Sequence, residues 1–225
     1  MTRHKSAHFE AYHGRYEAWF QRYVAAYYSE LLAVHARLPW HGLGIEIGVG
    51  TGRFAAPLGI SVGIDASRAM LAYAVKRGVS SIQGIAEALP FKDEVFDYGL
   101  VVTTICFVDD PQKMLNEAHR VLKSRAPIVI GFVDRTSRLG QQYLAHQAES
   151  VFYREARFYS ALEVERLLGD SGFVDLVWGQ TLSKPLNEIQ ETEPLCNGHG
   201  HGGFVVVRGI RSSKSRKAPF SVGCG

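Results

Sequence analysis

The sequence has no run of about eighteen apolar residues and no apolar N-terminal stretch, so neither a membrane-spanning helix nor a secretion signal is expected. Cysteine is scarce. Cys106, Cys196 and Cys224 are odd in number and widely spaced, which fits reduced thiols in a cytoplasmic protein and argues against a disulfide framework. A large charge excess is missing too: the net charge is only +3, and much of the basic surplus lies in Arg211, Lys214, Arg216 and Lys217. That balance predicts no nucleic-acid partner and no membrane partner. Internal repeats are absent, and the one low-complexity stretch, 211–225, is expected to be a disordered basic tail.

What is present is an ordinary globular composition, 46% hydrophobic and 21% charged over 225 residues, enough for one large domain with embellishments. Between 9 and 38, Tyr12, Tyr16, Trp19, Phe20, Tyr23, Tyr27, Leu31 and Val34 recur at helical spacing. They predict one or two helices in an N-terminal unit, 1–42, whose aromatic stripe serves either as packed core or as a lid. Beyond Pro39 the chain alternates. Strand-like runs at 43–48, 60–64, 79–83, 96–104, 127–133, 173–181 and 204–210 are separated by helical patterns at 67–77, 111–123 and 160–170. Continuous apolar strands such as Tyr98-Gly99-Leu100-Val101-Val102 suit a parallel sheet covered on both faces.

The fold class expected is therefore α/β, Rossmann-like and doubly wound, with a seven-stranded, mostly parallel sheet over 43–210. No helical pattern joins the last two strands, so the final one is expected to be antiparallel. Ser67, Asp109-Asp110 with Pro111, and Ser160 with Glu163 mark helix starts. An insertion at 134–159, carrying Tyr143, Phe152 and Tyr153, follows the fifth strand and serves either as a helical cap over the C-terminal edge of the sheet or as plain packing.

The first strand empties into Glu46-Ile47-Gly48-Val49-Gly50-Thr51-Gly52-Arg53, a glycine turn leading into a helix-like segment. Glycines let a ligand approach the backbone closely. The dinucleotide fingerprint needs a third glycine where Arg53 stands, and no Gly-Lys-Ser/Thr follows for a phosphate loop. Glu46 would repel a pyrophosphate but could hold a hydroxyl-bearing or cationic ligand. Seventeen residues after Gly48, Asp65 ends the second strand, placed to accept two ribose hydroxyls or to cap the next helix.

In order, the glycine turn, Asp65, Ala86-Glu87-Ala88-Leu89-Pro90-Phe91, Phe96-Asp97 and Arg120-Val121-Leu122-Lys123 resemble the class I S-adenosylmethionine-dependent methyltransferases, specifically the small-molecule, methyltransferase type 11-like branch. The likeness is strongest over 43–133. It implies that Gly48, Gly50 and Gly52 approach the methionine portion of S-adenosylmethionine, that Glu46 orders the turn and attracts the cationic end, and that Asp65 holds the ribose. It further implies that Ala66 and Met70 lie near the adenine, that the Ala86-Glu87 backbone meets its edge, and that Thr103 and Thr104 face the methionine or the acceptor. Two departures stand out: Ile85 replaces the acidic residue that often receives the adenine amino group, and Lys123-Ser124-Arg125-Ala126-Pro127 replaces Lys-Pro-Gly-Gly.

Thr103-Thr104-Ile105-Cys106-Phe107 lacks the Asn/Asp-Pro-Pro-aromatic signature of amino-group methylation on nucleic acids and proteins, so the expected acceptor is a small molecule. Methyl transfer from a sulfonium is an in-line displacement that proceeds by positioning and desolvation, with a base optional. Candidate catalytic groups are His199 and His201, in the loop Asn197-Gly198-His199-Gly200-His201-Gly202-Gly203, and Tyr16. With Cys196 the two histidines could also bind a metal, but a fourth ligand is lacking and no metal is expected. The rival readings are a regulatory S-adenosylmethionine-binding protein without turnover, suggested by Ile85 and the missing base, and an RNA or protein methyltransferase.

Overall fold

The computed structural model describes residues 3–213. Its strands are β1 (Gly44–Ile47), β2 (Val62–Asp65), β3 (Ser80–Gln83), β4 (Tyr98–Val102), β5 (Pro127–Val133), β6 (Phe173–Thr181), β7 (Cys196–Asn197) and β8 (Phe204–Arg211). Six helices accompany them: α1 (Arg3–Arg22), α2 (Val24–His35), α3 (Arg68–Lys76), α4 (Pro111–Val121), α5 (Arg138–Ala145) and α6 (Ala161–Asp170). One sheet contains all eight strands in the order β3-β2-β1-β4-β5-β8-β6-β7. Five neighbours from β3 to β5 are parallel, and β8 pairs antiparallel with both β5 and β6. The expected α/β doubly wound sheet with an antiparallel last strand is what forms. The eighth strand, β7, is a two-residue pairing of Cys196 with Gln180 and Asn197 with Gly179, too short to leave a pattern in the sequence.

Alternation along the central strands explains how both faces are buried. Leu100, Val129 and Val206 join one apolar cluster with Phe20, Tyr27, Leu31 and Val34 of the N-terminal helices. Their neighbours Val101, Ile128, Ile130, Val205 and Val207 join a second cluster with Met114, Leu115, Val164 and Leu168 of α4 and α6. The N-terminal helices therefore pack on one face, and α4 and α6 on the other. Capping follows the sequence: Ser67 accepts the Met70 N–H, Asp110 accepts the Lys113 N–H with Pro111 at the first helical position, and Ser160 with Glu163 forms a capping box. The stripe between 9 and 38 becomes two helices, α1 and α2, with a further kink at Tyr12.

Two expectations are corrected. The segment after the glycine turn is no regular helix. Only isolated turns form there, with Ala56 N–H on Gly52 O and Leu58 N–H on Phe54 O, because Pro57 has no N–H to continue the ladder. The final strand also runs beyond 210: Arg211 pairs opposite Phe173 and meets Glu94 at 2.6 Å, and the Ser212 N–H reaches Gly172 O. The chain is thus held past the start assigned to the tail, whose remainder, 214–225, lies outside the described residues. Among the described residues no helix is long and apolar enough to cross a membrane.

Candidate functional site

The strand order reverses between β1 and β4, since the chain winds outward from β1 to β3 and then returns to place β4 and β5 on the other side. Helices following the two halves diverge there, and a crevice opens at the C-terminal ends of the strands. A cavity of about 570 Å³ occupies that place. Gly84 after β3, Asp65 on β2, Gly48 after β1, Thr103 after β4 and Val133 on β5 all line it. At a strand spacing of roughly 4.8 Å, the cavity spans about 19 Å of sheet edge.

Turning sharply after β1, the chain holds Gly48 at φ +76° and Gly50 at φ +52°. Any Cβ on Gly48 would run into the Thr104 side chain, whose hydroxyl donates to Gly48 O at 3.2 Å. Asp65 fastens the other side: its Oδ2 accepts the Gly50 N–H and its Oδ1 the Ser67 N–H, each at 2.9 Å. A carboxylate has about four acceptor sites, and the Ala66 N–H also faces this one. Burial raises the Asp65 pKa against the lowering effect of these backbone donors.

Gly48, Gly50, Asp65, Ala66, Met70, Ala86, Thr103, Thr104 and Tyr16 all line the cavity, so most of the residues singled out in the sequence converge. Glu46, Gly52, Glu87, His199 and His201 do not. Glu46, 2% exposed, lies under the turn with the Ala55 N–H facing it, and burial raises its pKa well above the usual carboxylate range. Glu87 turns into the protein, where its Oε1 accepts the Asp109 N–H at 2.8 Å and ties the loop before α4. His199 packs edge-on against Trp178 at 5.1 Å, and the His201 backbone N–H donates to Gln180 Oε1. Their loop is a structural hairpin, and Cys196 is an exposed member of β7.

Gly52 has a different reason to be glycine. A Cβ there would stand 3.1 Å from Ala74 Cα of α3, at φ +78°. We expect Gly52→Ala to cost roughly 1–2 kcal/mol of stability, the usual penalty for a left-handed alanine, while ligand affinity at Gly50 and Asp65 stays unchanged. Urea denaturation beside a binding titration separates the two effects, and a loss of affinity without loss of stability would refute this role.

Over the strand ends lies α1, fastened by two carboxylates seven residues apart. Glu10 accepts from Ser67 Oγ at 2.6 Å and from the Ala69 N–H at 3.0 Å. Glu17 receives Arg53 and Arg77, each at 2.6 Å, and these hydrogen bonds lower its pKa against the opposing effect of burial. Arg53, which spoils the dinucleotide pattern, thus clamps the N-terminal helix, stacks over Phe20 at 5.1 Å and gives its carbonyl to Tyr27. We expect Glu17→Ala to cost roughly 1–3 kcal/mol and to open α1 to proteases, because two guanidiniums lose their shared partner. Limited proteolysis with and without ligand checks this; unchanged cleavage would rule it out.

The aromatic stripe is both core and wall: Phe20 and Tyr27 are buried in the core, whereas Tyr16, Trp19, Phe20 and Tyr23 line the cavity. The 134–159 segment meets them from β5. Tyr143 and Tyr153 stack at 4.9 Å, Tyr153 stacks on Phe107 at 5.7 Å, and Phe152 lies against Phe9 at 5.3 Å. Sequence reasoning missed Glu30, which also lines the cavity. Its position, seven after Tyr23 and four before Val34, places it on the apolar face of α2, and a carboxylate in an apolar stripe was the available signal. The Tyr16 hydroxyl lies 3.8 Å from where a Gly50 Cβ would stand, and burial and the charges of Glu46, Asp65, Glu30 and Glu17 raise its pKa.

Comparison with known proteins gives a matching family model and three similar proteins. A family model described as a methyltransferase domain matches residues 45–130. The crystal structure of an S-adenosylmethionine-dependent methyltransferase from Thermotoga maritima, described as a possible histamine N-methyltransferase, is 48% identical. The match covers 93% of this chain and all of that one, with a TM-score of 0.91. An uncharacterized protein of Methanocaldococcus jannaschii is 43% identical over 88% of this chain and 96% of its own length. An uncharacterized protein of Mycobacterium tuberculosis is 43% identical over 77% of this chain, which spans 62% of that protein.

Proposed function

Since this chain belongs to the class I S-adenosylmethionine-dependent methyltransferases of the type 11 branch, we propose that the acceptor it methylates is a small molecule held at the aromatic end of the cavity. The enzyme's cofactor is S-adenosylmethionine and its reaction is methyl transfer. The observation that carries the acceptor reading is the length of the cavity. It runs from Ala86 and Met70 beside β2 and β3 to Val133, Tyr143 and Tyr153 beside β5, further than one nucleoside needs, and its far end is walled by rings.

The residues present fit the cofactor. The positive-φ Gly48 and Gly50 leave a cradle that side chains would fill, and Asp65, at the cavity wall, keeps acceptor capacity for the ribose. Ala66 and Met70 would flank the adenine, with Ala86 at its edge. Arg15, a cation on α1 that lines the cavity, would meet the methionine carboxylate. When bound, the cofactor supplies a methyl carbon on a positively charged sulfur that an acceptor lone pair displaces in line. The protein's part is then to order the glycine turn, to shed water through the ring walls, and to align the acceptor near Thr103 and Thr104. The N-terminal unit, 1–42, would act as a lid and the 134–159 segment as a cap. A polymer strand does not suit such a walled end, and the scarce, widely spaced cysteines fit the cytoplasm.

Calorimetry with S-adenosylmethionine, followed by measurement of S-adenosylhomocysteine release over a panel of small amines (histamine among them), phenols and thiols beside RNA and peptides, tests the reading. Turnover on at least one small molecule is expected. Turnover confined to RNA or peptides would sink it.

A further inference from the structure

Resting on the small-molecule reading above, we propose that Glu30 is the recognition carboxylate for a protonated amine on the methyl acceptor, with the rings around it as the walls of a cation site. Glu30 is 5% exposed, and what little it shows faces the cavity. Neither oxygen makes a hydrogen bond or ion pair with any described residue. A carboxylate serving only the fold would be capped, bridged to a cation or turned to water, as Glu10, Glu17, Glu87 and Glu163 are.

The surroundings select a cation. Trp19, Tyr23, Tyr143 and Tyr153 line the same cavity, and the Tyr143 hydroxyl takes a hydrogen bond from the Trp19 indole. Ring faces attract an ammonium that a carboxylate also attracts, whereas a neutral acceptor gives Glu30 no partner for an ionised form. Among the described residues no cation pairs with it. Arg15, Arg22 and His146 reach the cavity, but Arg22 lies over the Tyr23 ring at 5.3 Å, and burial alone shifts Glu30, raising its pKa to about 8. The titratable groups that feel its charge are the tyrosines Tyr16, Tyr143 and Tyr153, all held neutral by burial. An incoming ammonium must therefore drive a proton off Glu30 near neutral pH, leaving a carboxylate and ammonium pair in the cavity and a proton in the buffer.

The test uses the full chain saturated with S-adenosylhomocysteine and matched probes: 2-phenylethylamine against 2-phenylethanol, and cyclohexylmethylamine against cyclohexylmethanol. Calorimetry at pH 7 in buffers of different ionisation enthalpy should show an amine binding about tenfold or more tightly than its alcohol, with close to one proton released per amine. Glu30→Gln, which keeps the shape of the side chain, should abolish both the preference and the proton release while S-adenosylhomocysteine affinity stays the same. The proposal is overturned if no amine outbinds its alcohol, or if Glu30→Gln keeps the preference. Failure of S-adenosylhomocysteine itself to bind would instead bring down the cofactor assignment on which both readings stand.

Discussion

Asp65→Asn is expected to weaken S-adenosylmethionine binding by about a hundredfold or more, without unfolding the protein. In the wild type both carboxylate oxygens are committed to backbone donors, Gly50 on one side and Ser67 on the other. The ribose would add two more donors, and each such bond to a charged acceptor is worth roughly 1.5–3 kcal/mol. An asparagine keeps one accepting oxygen and turns an NH₂ toward the rest. That NH₂ faces either the Gly50 N–H or the Ser67 N–H, donor against donor, and offers nothing to a hydroxyl's proton. The glycine turn is disturbed together with the ribose site, so about 2.7 kcal/mol of binding, a hundredfold, is a moderate expectation. Folding should survive because Gly48 stays pinned by its own N–H on Ile64 O and by the Thr104 hydroxyl on its carbonyl. Calorimetric titration with circular dichroism of the free protein measures both; a folded variant that binds within about threefold of wild type would remove Asp65 from the cofactor site.

Sheet, caps and glycine turn were legible because each rests on local chemistry. Short apolar runs rich in Val and Ile between turns suit buried strands, Ser160 with Glu163 suits a helix start, and Gly48 stands where a side chain would strike Thr104. What escaped was set by tertiary contact. Nothing local reveals that Arg53 reaches Glu17, because the partners are 36 residues apart and meet only once α1 lies on the glycine turn. Gly52 and Glu87, expected beside the cofactor from the motifs they stand in, lie outside the cavity lining: a Cβ on Gly52 would press on α3, and Glu87 ties the loop before α4. The histidine loop makes a hairpin at β7, and neither imidazole lines the cavity. Core and lid are alternatives for the aromatic stripe in sequence, yet a helix has several faces, and Phe20 of α1 is both buried in the core and part of the cavity wall.

Glu30→Gln is expected to make the ligand-free enzyme more stable at pH 8.5 by several kcal/mol, and to leave it no more stable at pH 4.5. Burial raises Glu30 from an ordinary value of 4.5 to about 8 in the folded chain. Below 4.5 the group is protonated in both folded and unfolded chains and burial brings no ionisation penalty. Between 4.5 and 8 the unfolded chain gives up the proton while the folded chain retains it, so stability falls by about 1.4 kcal/mol per pH unit. Above 8 the folded form ionises too, and the loss levels off at a total on the order of 5 kcal/mol. Glutamine has no proton to give, so its stability curve lacks this fall. Buried Glu46 and Asp65 have raised pKa values as well, but they are common to both proteins and cancel in the difference. Tyr16, Tyr143 and Tyr153 titrate above the window, because burial raises each of them from about 10. For a chain of this size the gap at pH 8.5 corresponds to roughly 10 °C in Tm. Urea denaturation at half-unit steps from pH 4.5 to 9 resolves it, and parallel curves for the two proteins would show that Glu30 is solvated and paired in solution. A wild-type enzyme that keeps so costly an acid inside an aromatic pocket, where an amide would be more stable, is retaining a group whose charge has a use only when a cation arrives.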